Sequence, residues 1–287
     1  LTPILSPAHR YGGTTAYDLE RERVALFGDD GGGGGLTPHW ERTAGAWAEP
    51  TPYTPPSARV WPALAYDAAH AEVVMFGGDT AAGLSDETWT FNGDRWKQRN
   101  SGVTPPARAR AQMAYDRVRQ RVVMFSGSGS GGSALDDTWE WDGDDWRARA
   151  PDVTPSSRLG AGMVYDASRA VILLHGGIDE EALADTWTYD GTTWSELATV
   201  GGPPAVSDMG LAYDAVRERI VRYGGDTGSG YSNATWELVG NTWTETPAPG
   251  APGDHAFGAL VYHHRLGEAV LFGGDEYAAF VDGTWTY

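Results

Sequence analysis

The sequence predicts an all-β fold, a six-bladed β-propeller in which four-stranded antiparallel blades surround one axis. A Tyr recurs six times, with intervals of 49, 49, 50, 48 and 49 residues. A Trp follows each Tyr by 22 to 24 residues. No segment shows a 3.6-residue apolar period, so helices should be nearly absent. The tyrosines are Tyr17, Tyr66, Tyr115, Tyr165, Tyr213 and Tyr262, and the tryptophans are Trp40, Trp89, Trp139, Trp187, Trp236 and Trp285.

Each repeat carries four strand signals in a fixed order. The first ends in Ala-Tyr-Asp, and the second is a β-branched run such as residues 72–76, closed by Gly77-Gly78. The third resembles residues 185–189, and an Asp-Gly turn such as Asp190-Gly191 leads into the fourth. A second Trp, as at Trp194, lies in that fourth strand and precedes the next Tyr by 19 residues. We expect the repeated Tyr and Trp rings to fill the space between blades.

The repeats predict one domain over residues 1–287. The predicted blades cover about residues 6–47, 55–98, 104–148, 154–196, 203–245 and 252–287. Repeat six ends after its third strand, so residues 1–5 are predicted to supply the fourth strand of the last blade. The interval of 19 counted back from Tyr17 falls before Leu1, so we expect the natural sequence to extend upstream.

The diglycine after the second strand, with the spaced aromatic residues, resembles the kelch repeat. It is present as Gly77-Gly78, Gly176-Gly177, Gly224-Gly225 and Gly273-Gly274, whereas repeats one and three have Gly28-Asp29 and Ser126-Gly127. The resemblance implies a twisted blade ring around a central channel. It also implies an interaction platform, although some kelch-type propellers are isomerases, lyases or oxidases, and fold alone does not decide function.

Composition excludes several classes of function. The chain has 39 Asp plus Glu against 21 Lys plus Arg, a net charge of -18, which opposes nucleic-acid and anionic membrane partners. No apolar run is long enough to span a bilayer, so we expect a soluble protein. We also expect a monomer. The absence of Cys excludes disulfides, thiolate metal sites and cysteine nucleophiles. The abundance of Gly, Thr, Trp and Asp favours a secreted or extracytoplasmic protein.

The two faces of the predicted ring differ in their loops. One face carries short Asp-Gly turns, and it also carries His263-His264, which we interpret as a surface turn. The other carries the long variable loops at 31–35, 126–133, 178–184 and 227–232. Because binding residues concentrate on loops held by a rigid scaffold, the site is predicted on this loop-rich face.

Two repeated sets of charged residues lie on the loop-rich face. Arg10, Arg59, Arg108 and Arg158 stand seven residues before the Tyr, where Val206 and His255 complete the series. They form either a basic ring for a carboxylate or acidic peptide, or structural ion pairs with Glu87, Asp137 and Asp185. The second set follows the glycine pair and either binds Ca²⁺ or stabilises turns, without a metal or other cofactor. It comprises Asp30, Asp79, Asp226 and Asp275.

Pattern-breaking residues supply the remaining candidates for a ligand site. Trp61, Arg110, Asp208 and Phe257 lie five residues before the Tyr, where the other repeats have Gly12 and Gly160. Tyr231, Tyr277, Phe280 and His255 lie in or beside variable loops. These residues either form an aromatic, mixed-charge pocket at the channel mouth, or about half of them plug the channel.

The favoured function is non-catalytic recognition of a protein, peptide or glycan. The first alternative is an enzyme acting on a sugar or small acid, with His255, Asp208, Arg110 and Tyr277 as catalytic candidates. The second is a scaffold or a consensus-like designed repeat protein, which the nearly constant intervals suggest.

Overall fold

The computed structural model describes residues 7, 12–28, 39–43, 45–50, 55–248, 250–276 and 280–287. The first blade contains β1 (Thr14–Asp18), β2 (Arg23–Phe27), β3 (His39–Thr43) and β4 (Ala46–Ala48). The second repeat contains β5 (Arg59–Val60), β6 (Ala63–Asp67), β7 (Glu72–Phe76), β8 (Asp79–Thr80), β9 (Gly83–Leu84), β10 (Thr88–Phe91) and β11 (Trp96–Arg99). Of these, β6, β7, β10 and β11 form the second blade, and β5, β8 and β9 form a small separate sheet.

The remaining four blades repeat the same order. The third has β12 (Gln112–Asp116), β13 (Arg121–Phe125), β14 (Thr138–Trp141) and β15 (Trp146–Arg149). The fourth has β16 (Gly162–Asp166), β17 (Val171–His175), β18 (Thr186–Tyr189) and β19 (Trp194–Glu196). The fifth has β20 (Gly210–Asp214), β21 (Arg219–Tyr223), β22 (Thr235–Val239) and β23 (Thr242–Thr246). The sixth has β24 (Ala259–His263), β25 (Glu268–Phe272) and β26 (Thr284–Thr286).

The prediction of an all-β propeller is confirmed. Each blade is an antiparallel meander, with Tyr115 opposite Val122 and Met124 opposite Trp139 in the third blade. In the described ranges the helical structure is a single 3-10 turn at Ser130–Gly132. No helix there has the length and apolar character that a membrane crossing requires. Residues 1–5, predicted to complete the sixth blade, lie outside the described residues.

The innermost strands of neighbouring blades contact one another around the channel, and β24 of the sixth blade also contacts β1 of the first. The same two blades meet at the indole of Trp47. Its Nε1 donates a hydrogen bond to Thr284 Oγ1 at 3.0 Å, and its ring lies 5.0 Å from that of Phe272. The first and last repeats are therefore packed against each other as blade neighbours.

The second Trp of a repeat packs on the preceding blade. Trp146 is 1% exposed, lies 5.4 Å from the ring of Phe76 and donates a hydrogen bond to Thr88 Oγ1 at 2.8 Å. Trp194 repeats this contact one blade later, where its Nε1 donates to Thr138 Oγ1 at 3.0 Å. Burying such a ring stabilises a fold by about 3 kcal/mol or more. These contacts agree with the predicted role of the repeated Trp residues.

The Tyr-Asp pair stabilises the turn between the first and second strands. Asp116 is fully buried, and its Oδ1 accepts hydrogen bonds from the backbone N–H groups of Val118 and Arg119, both at 2.9 Å. The side chain of Arg119 forms an ion pair with the same carboxylate. The hydroxyl of Tyr115 reaches the previous blade, where it accepts a hydrogen bond from the N–H of Ala69 at 3.0 Å. The same residues therefore order a turn and join two blades.

Candidate functional site

The loop-rich mouth of the channel is formed by the residues five positions before each repeat Tyr. All six have left-handed backbone conformations, although four of them are not glycine. Such conformations are strained for residues with side chains and occur often at functional sites. The residues and their φ angles are Gly12 (65°), Trp61 (52°), Arg110 (57°), Gly160 (58°), Asp208 (54°) and Phe257 (59°).

Backbone hydrogen bonds hold these strained residues in place from blade to blade. The N–H of Trp61 donates to the carbonyl of Gly12 at 2.8 Å, and the N–H of Arg110 donates to Trp61 at 3.0 Å. The N–H of Asp208 donates to Gly160 at 2.7 Å, and the N–H of Phe257 donates to Asp208 at 2.9 Å. They border a cavity of about 160 Å³ that is lined by all six innermost strands. The backbone thus presents these side chains at a shared rim.

An ion pair crosses this rim above Gly160. Nη2 of Arg110 lies 2.6 Å and 2.5 Å from the two carboxylate oxygens of Asp208, and the hydroxyl of Ser207 donates to Asp208 Oδ2 at 2.8 Å. A Cβ on Gly160 would lie 2.4 Å from Asp208 Oδ1, so the glycine is needed for this arrangement. Burial raises the pKa of Asp208, while the charge of Arg110 opposes that rise.

Two aromatic groups flank the ion pair. The guanidinium carbon of Arg110 lies 5.7 Å from the centroid of the Trp61 ring, within the range of a cation-π interaction. The Trp61 indole occupies the space of a missing side chain, because a Cβ on Gly12 would lie 2.2 Å from Trp61 Cδ1. On the other side, Phe257 packs edge-on against Tyr231 with ring centroids 6.2 Å apart. The predicted aromatic, mixed-charge residues are therefore neighbours in space.

The comparisons with known proteins identify the family. Residues 39–204, more than half of the chain, match the family model described as the KLHDC2/KLHL20/DRC7 Kelch-repeats domain. The chain belongs to this kelch-repeat family. The solved structure titled "Structure of YjhT" is similar to it, with a TM-score of 0.75 over 97% of this chain and 95% of that one. Their sequence identity is 14%, so this similarity supports the fold alone. The comparison with curated proteins found no match.

Three arginines of the kelch pattern form the ion pairs that were one of the two predicted alternatives, rather than a basic ring open to a ligand. The side chains of Arg59, Arg108 and Arg158 are each 0% exposed. Their guanidinium groups pair with the predicted partners Glu87, Asp137 and Asp185 at 2.7, 2.6 and 2.7 Å. A ligand would have to reach groups that have no exposed surface. The fourth member, Arg10, lies outside the described residues.

His255 also differs from its predicted role at the mouth. It is 1% exposed, and its ring packs 5.6 Å from Trp285 and 6.0 Å from Tyr223. Burial lowers its pKa, which favours the neutral imidazole. His255 is not among the described residues that line the mouth cavity, so the structure does not bring it together with Asp208 and Arg110. The remaining catalytic candidate, Tyr277, lies outside the described residues.

The carboxylates considered for calcium stabilise loops. Asp226 Oδ1 accepts a hydrogen bond from the N–H of Gly228 at 2.8 Å, and Asp275 Oδ2 accepts one from the Tyr231 hydroxyl at 2.9 Å. Asp79 belongs to the small sheet of the second repeat. In the part of the chain that the structure describes, no three Asp, Glu, His or Cys residues are placed to hold a metal ion. Asp30 lies outside that part.

Arg222 is a buried arginine that the sequence prediction missed. It lies in β21, is 0% exposed, and its Nη2 donates to the carbonyl of Gly224 at 3.1 Å. Arg59 and Arg158 satisfy the equivalent carbonyl in their own repeats, through Gly77 and Gly176. The sequence signal was an Arg at a strand position that is apolar in the other repeats, within the repeat that has Val206 instead of the kelch Arg.

Proposed function

We propose that this kelch propeller is a recognition module that binds a segment of a partner protein at the loop-rich mouth of its channel. The observation that carries the proposal is the rim formed by Trp61, Arg110, Asp208 and Phe257. These side chains occupy a position where the repeats differ in residue type, although the backbone is left-handed there in all six. Kelch-repeat domains generally mediate protein interactions, which agrees with this function.

The rim has the composition of a binding surface. Trp, Tyr and Arg dominate the energetics of protein interfaces because they combine large contact areas with directed polar groups. Trp61 and Phe257 are only partly buried, so each offers ring surface to a ligand. The hydrogen bonds to Asp208 come from Nη2 of Arg110. A guanidinium has further N–H donors, and these suit a backbone carbonyl or carboxylate of a bound segment.

The ion pair and its surroundings suggest how such a segment is oriented. The side chain of Asp208 is 8% exposed and that of Arg110 is 22% exposed, so the cation is the more accessible partner. A ligand acceptor would approach Arg110 while its apolar part contacts Trp61 or Phe257. Small concave sites of this kind obtain affinity from apolar surface and orientation from a few polar groups.

The test compares binding to peptide and glycan arrays by the wild type and by the double variant Trp61→Gly/Phe257→Gly. Glycine is the residue that two repeats already have at this position, so the backbone should keep its conformation. The control is Val118→Ala/Val216→Ala, which removes two exposed apolar side chains elsewhere. Loss of two interface anchors should weaken binding by about 30-fold or more, whereas the control should change it little.

The outcomes decide between partner classes. Peptide signals that disappear in the rim variant and persist in the control support the proposal. Binding that persists in the rim variant would contradict it, as would arrays without any signal. Signals confined to glycans would replace the protein partner with a carbohydrate.

The second candidate function is an enzyme acting on a sugar or small acid, and Asp208 is the observation that favours it. A buried carboxyl with a raised pKa, beside a cavity, has the properties of a general acid or base. Two features favour binding instead: Arg110 stabilises the ionised carboxylate, and His255 lies away from the cavity lining. Asp208→Asn distinguishes the two. It should abolish turnover of any bound sugar or acid if the protein is an enzyme.

A further inference from the structure

The opposite mouth of the channel, on the face of the short turns, contains a second pair of polar groups. We call it the turn-side mouth and define it by the residues two positions after each repeat Tyr. These are Leu19, Ala68, Arg117, Ala167, Ala215 and His264. Five of the six line a cavity of about 200 Å³, far larger than the roughly 10–15 Å³ that one water needs. Arg117 and His264 therefore interrupt an otherwise apolar rim.

Arg117 and His264 meet across this mouth, although they belong to the third and sixth blades. Nη2 of Arg117 lies 3.4 Å from Nε2 of His264. The arginine can donate this hydrogen bond only to a neutral imidazole with a free lone pair on Nε2. Two residues that are 147 positions apart in the chain are thus held facing each other by blades packed around the channel.

Four other arginines on this face form ion pairs with carboxylates. In four repeats the Asp after the Tyr pairs with the arginine three residues later, as Asp116 does with Arg119. Among the described residues, no carboxylate forms an ion pair with Arg117. The sixth repeat has His263 in place of that Asp, which removes a carboxylate next to His264.

The surroundings of His264 keep it neutral while the mouth is empty. Burial, followed by the charges of Arg117 and His263, lowers its pKa from 6.5 to about 4. The rings of Tyr17 and Tyr262 pack beside it at 5.2 and 5.1 Å. Burial raises the pKa of both tyrosines, so neither supplies a negative charge. An anion that Arg117 and His264 bind in place of their mutual hydrogen bond would reverse the balance, because it attracts a proton to the imidazole.

We propose that Arg117 and His264 form a second binding site, for a small oxyanion such as a carboxylate or phosphate group, and that His264 takes up a proton when the anion binds. Arg117 offers a flat pair of donors that matches two oxygens, and protonated His264 donates from the opposite side. This site lies at the other end of the channel from the proposed recognition rim and is independent of it.

The rise in the pKa of His264 on anion binding determines how strongly the affinity for the anion depends on pH. Suppose that the bound anion restores the pKa of His264 from about 4 to its ordinary value of 6.5. Linkage then makes binding about tenfold tighter at pH 5.5 than at pH 8, because the anion-bound state holds a proton that the free state lacks. An arginine-only site would show no such change, since arginine keeps its charge throughout.

The experiment titrates the full chain with formate and with sulfate at pH 5.5 and pH 8, followed by NMR chemical shifts. Both probes remain ionised over this range, and their flat and tetrahedral shapes separate carboxylate-like from phosphate-like ligands. The variants are Arg117→Gln and His264→Gln. The control is Arg147→Gln, which removes an equal charge at an exposed arginine that pairs with Asp142.

The proposal expects about tenfold tighter binding of at least one probe at pH 5.5 in the wild type and in the control. Arg117→Gln should lose binding at both pH values, and His264→Gln should lose the pH effect. Equal affinity at the two pH values, or binding unchanged in Arg117→Gln, would overturn it. The pKa of His264, measured by NMR in the wild type with and without the probe, gives a second readout. A value that does not rise with the anion also overturns the proposal.

Discussion

The ion pair of Arg158 and Asp185 allows a stability prediction whose size follows from the structure. Arg158 is fully buried, and its guanidinium pairs with both oxygens of Asp185 at 2.7 and 2.9 Å. It also donates to the carbonyls of Gly176 and Ser156, both at 3.0 Å. Asp185→Ala keeps the cation buried and removes its counter-charge. Breaking a fully buried pair costs about 3–5 kcal/mol, and Asp185 is 25% exposed, so we expect about 2–3 kcal/mol.

Urea denaturation at pH 7 measures this loss, with Asp144→Ala as the control. Asp144 is an exposed carboxylate, and its removal should change the free energy of unfolding by less than about 0.5 kcal/mol. A double-mutant cycle with Arg158→Leu tests the pairing itself. The double variant should be at least about 1 kcal/mol more stable than the sum of the single effects predicts. A loss below about 1 kcal/mol in Asp185→Ala, or additive effects in the cycle, would refute the assignment of Arg158 as a structural cation.

Three further predictions concern the turns and the pH dependence of stability. Gly143→Ala should destabilise the fold by about 1–3 kcal/mol, because the new Cβ would lie 2.2 Å from an imidazole of the preceding blade at a φ of +106°. Gly202→Ala places its Cβ in open space, so it should leave the stability unchanged. Thermal denaturation measures both variants, and equal effects of the two substitutions would contradict the steric argument. Tyr115→Phe removes a hydrogen bond to the previous blade and should cost about 1 kcal/mol in urea denaturation; an unchanged midpoint would argue against that contact. Burial alone would raise the pKa of Asp185, but Arg158 lowers that pKa below its usual value. The ion pair of Arg158 and Asp185 therefore stabilises the fold above about pH 4, and this contribution is lost at lower pH. Stability measured from pH 7 down to pH 3 should therefore fall less steeply in Asp185→Ala than in the wild type, and parallel curves would show that the pair does not contribute.

The fold could be predicted from the sequence because its dominant contacts recur once in every repeat. A Trp at constant spacing, such as Trp146, must occupy the same place in each blade, and burial between blades is the place that suits its ring. The hydrogen bonds that Tyr hydroxyls accept from a neighbouring blade were not predictable. The bond from Ala69 to Tyr115 depends on the distance between two blades, which no spacing within one repeat specifies.

The structural role of the kelch arginines was partly present in the sequence. The repeats with Arg59, Arg108 and Arg158 also have a carboxylate two residues before the first Trp. In the fifth repeat both are absent, since Val206 and Ala234 occupy those positions. Two groups that are lost together point to a contact between them. The sequence could not reveal that Arg222 would satisfy the carbonyl left by this loss, because Arg222 lies in β21, two residues before Gly224, and not at the kelch Arg position.

The two mouths of the channel gain their chemistry in the same way. Equal residues in all repeats build the scaffold, because six blades impose the same packing environment at equivalent positions. Residues at a rim position are not constrained by packing between blades. They can therefore differ from repeat to repeat, and those differences can serve recognition. At the loop-rich mouth, Gly12 and Gly160 leave space into which Trp61 and Asp208 extend. At the turn-side mouth, Ala167 lines the same cavity as Arg117 and His264, which meet across it. Gly12 and Gly160 are therefore as necessary to the rim as Trp61 and Asp208, because a side chain on either glycine would occupy the same space.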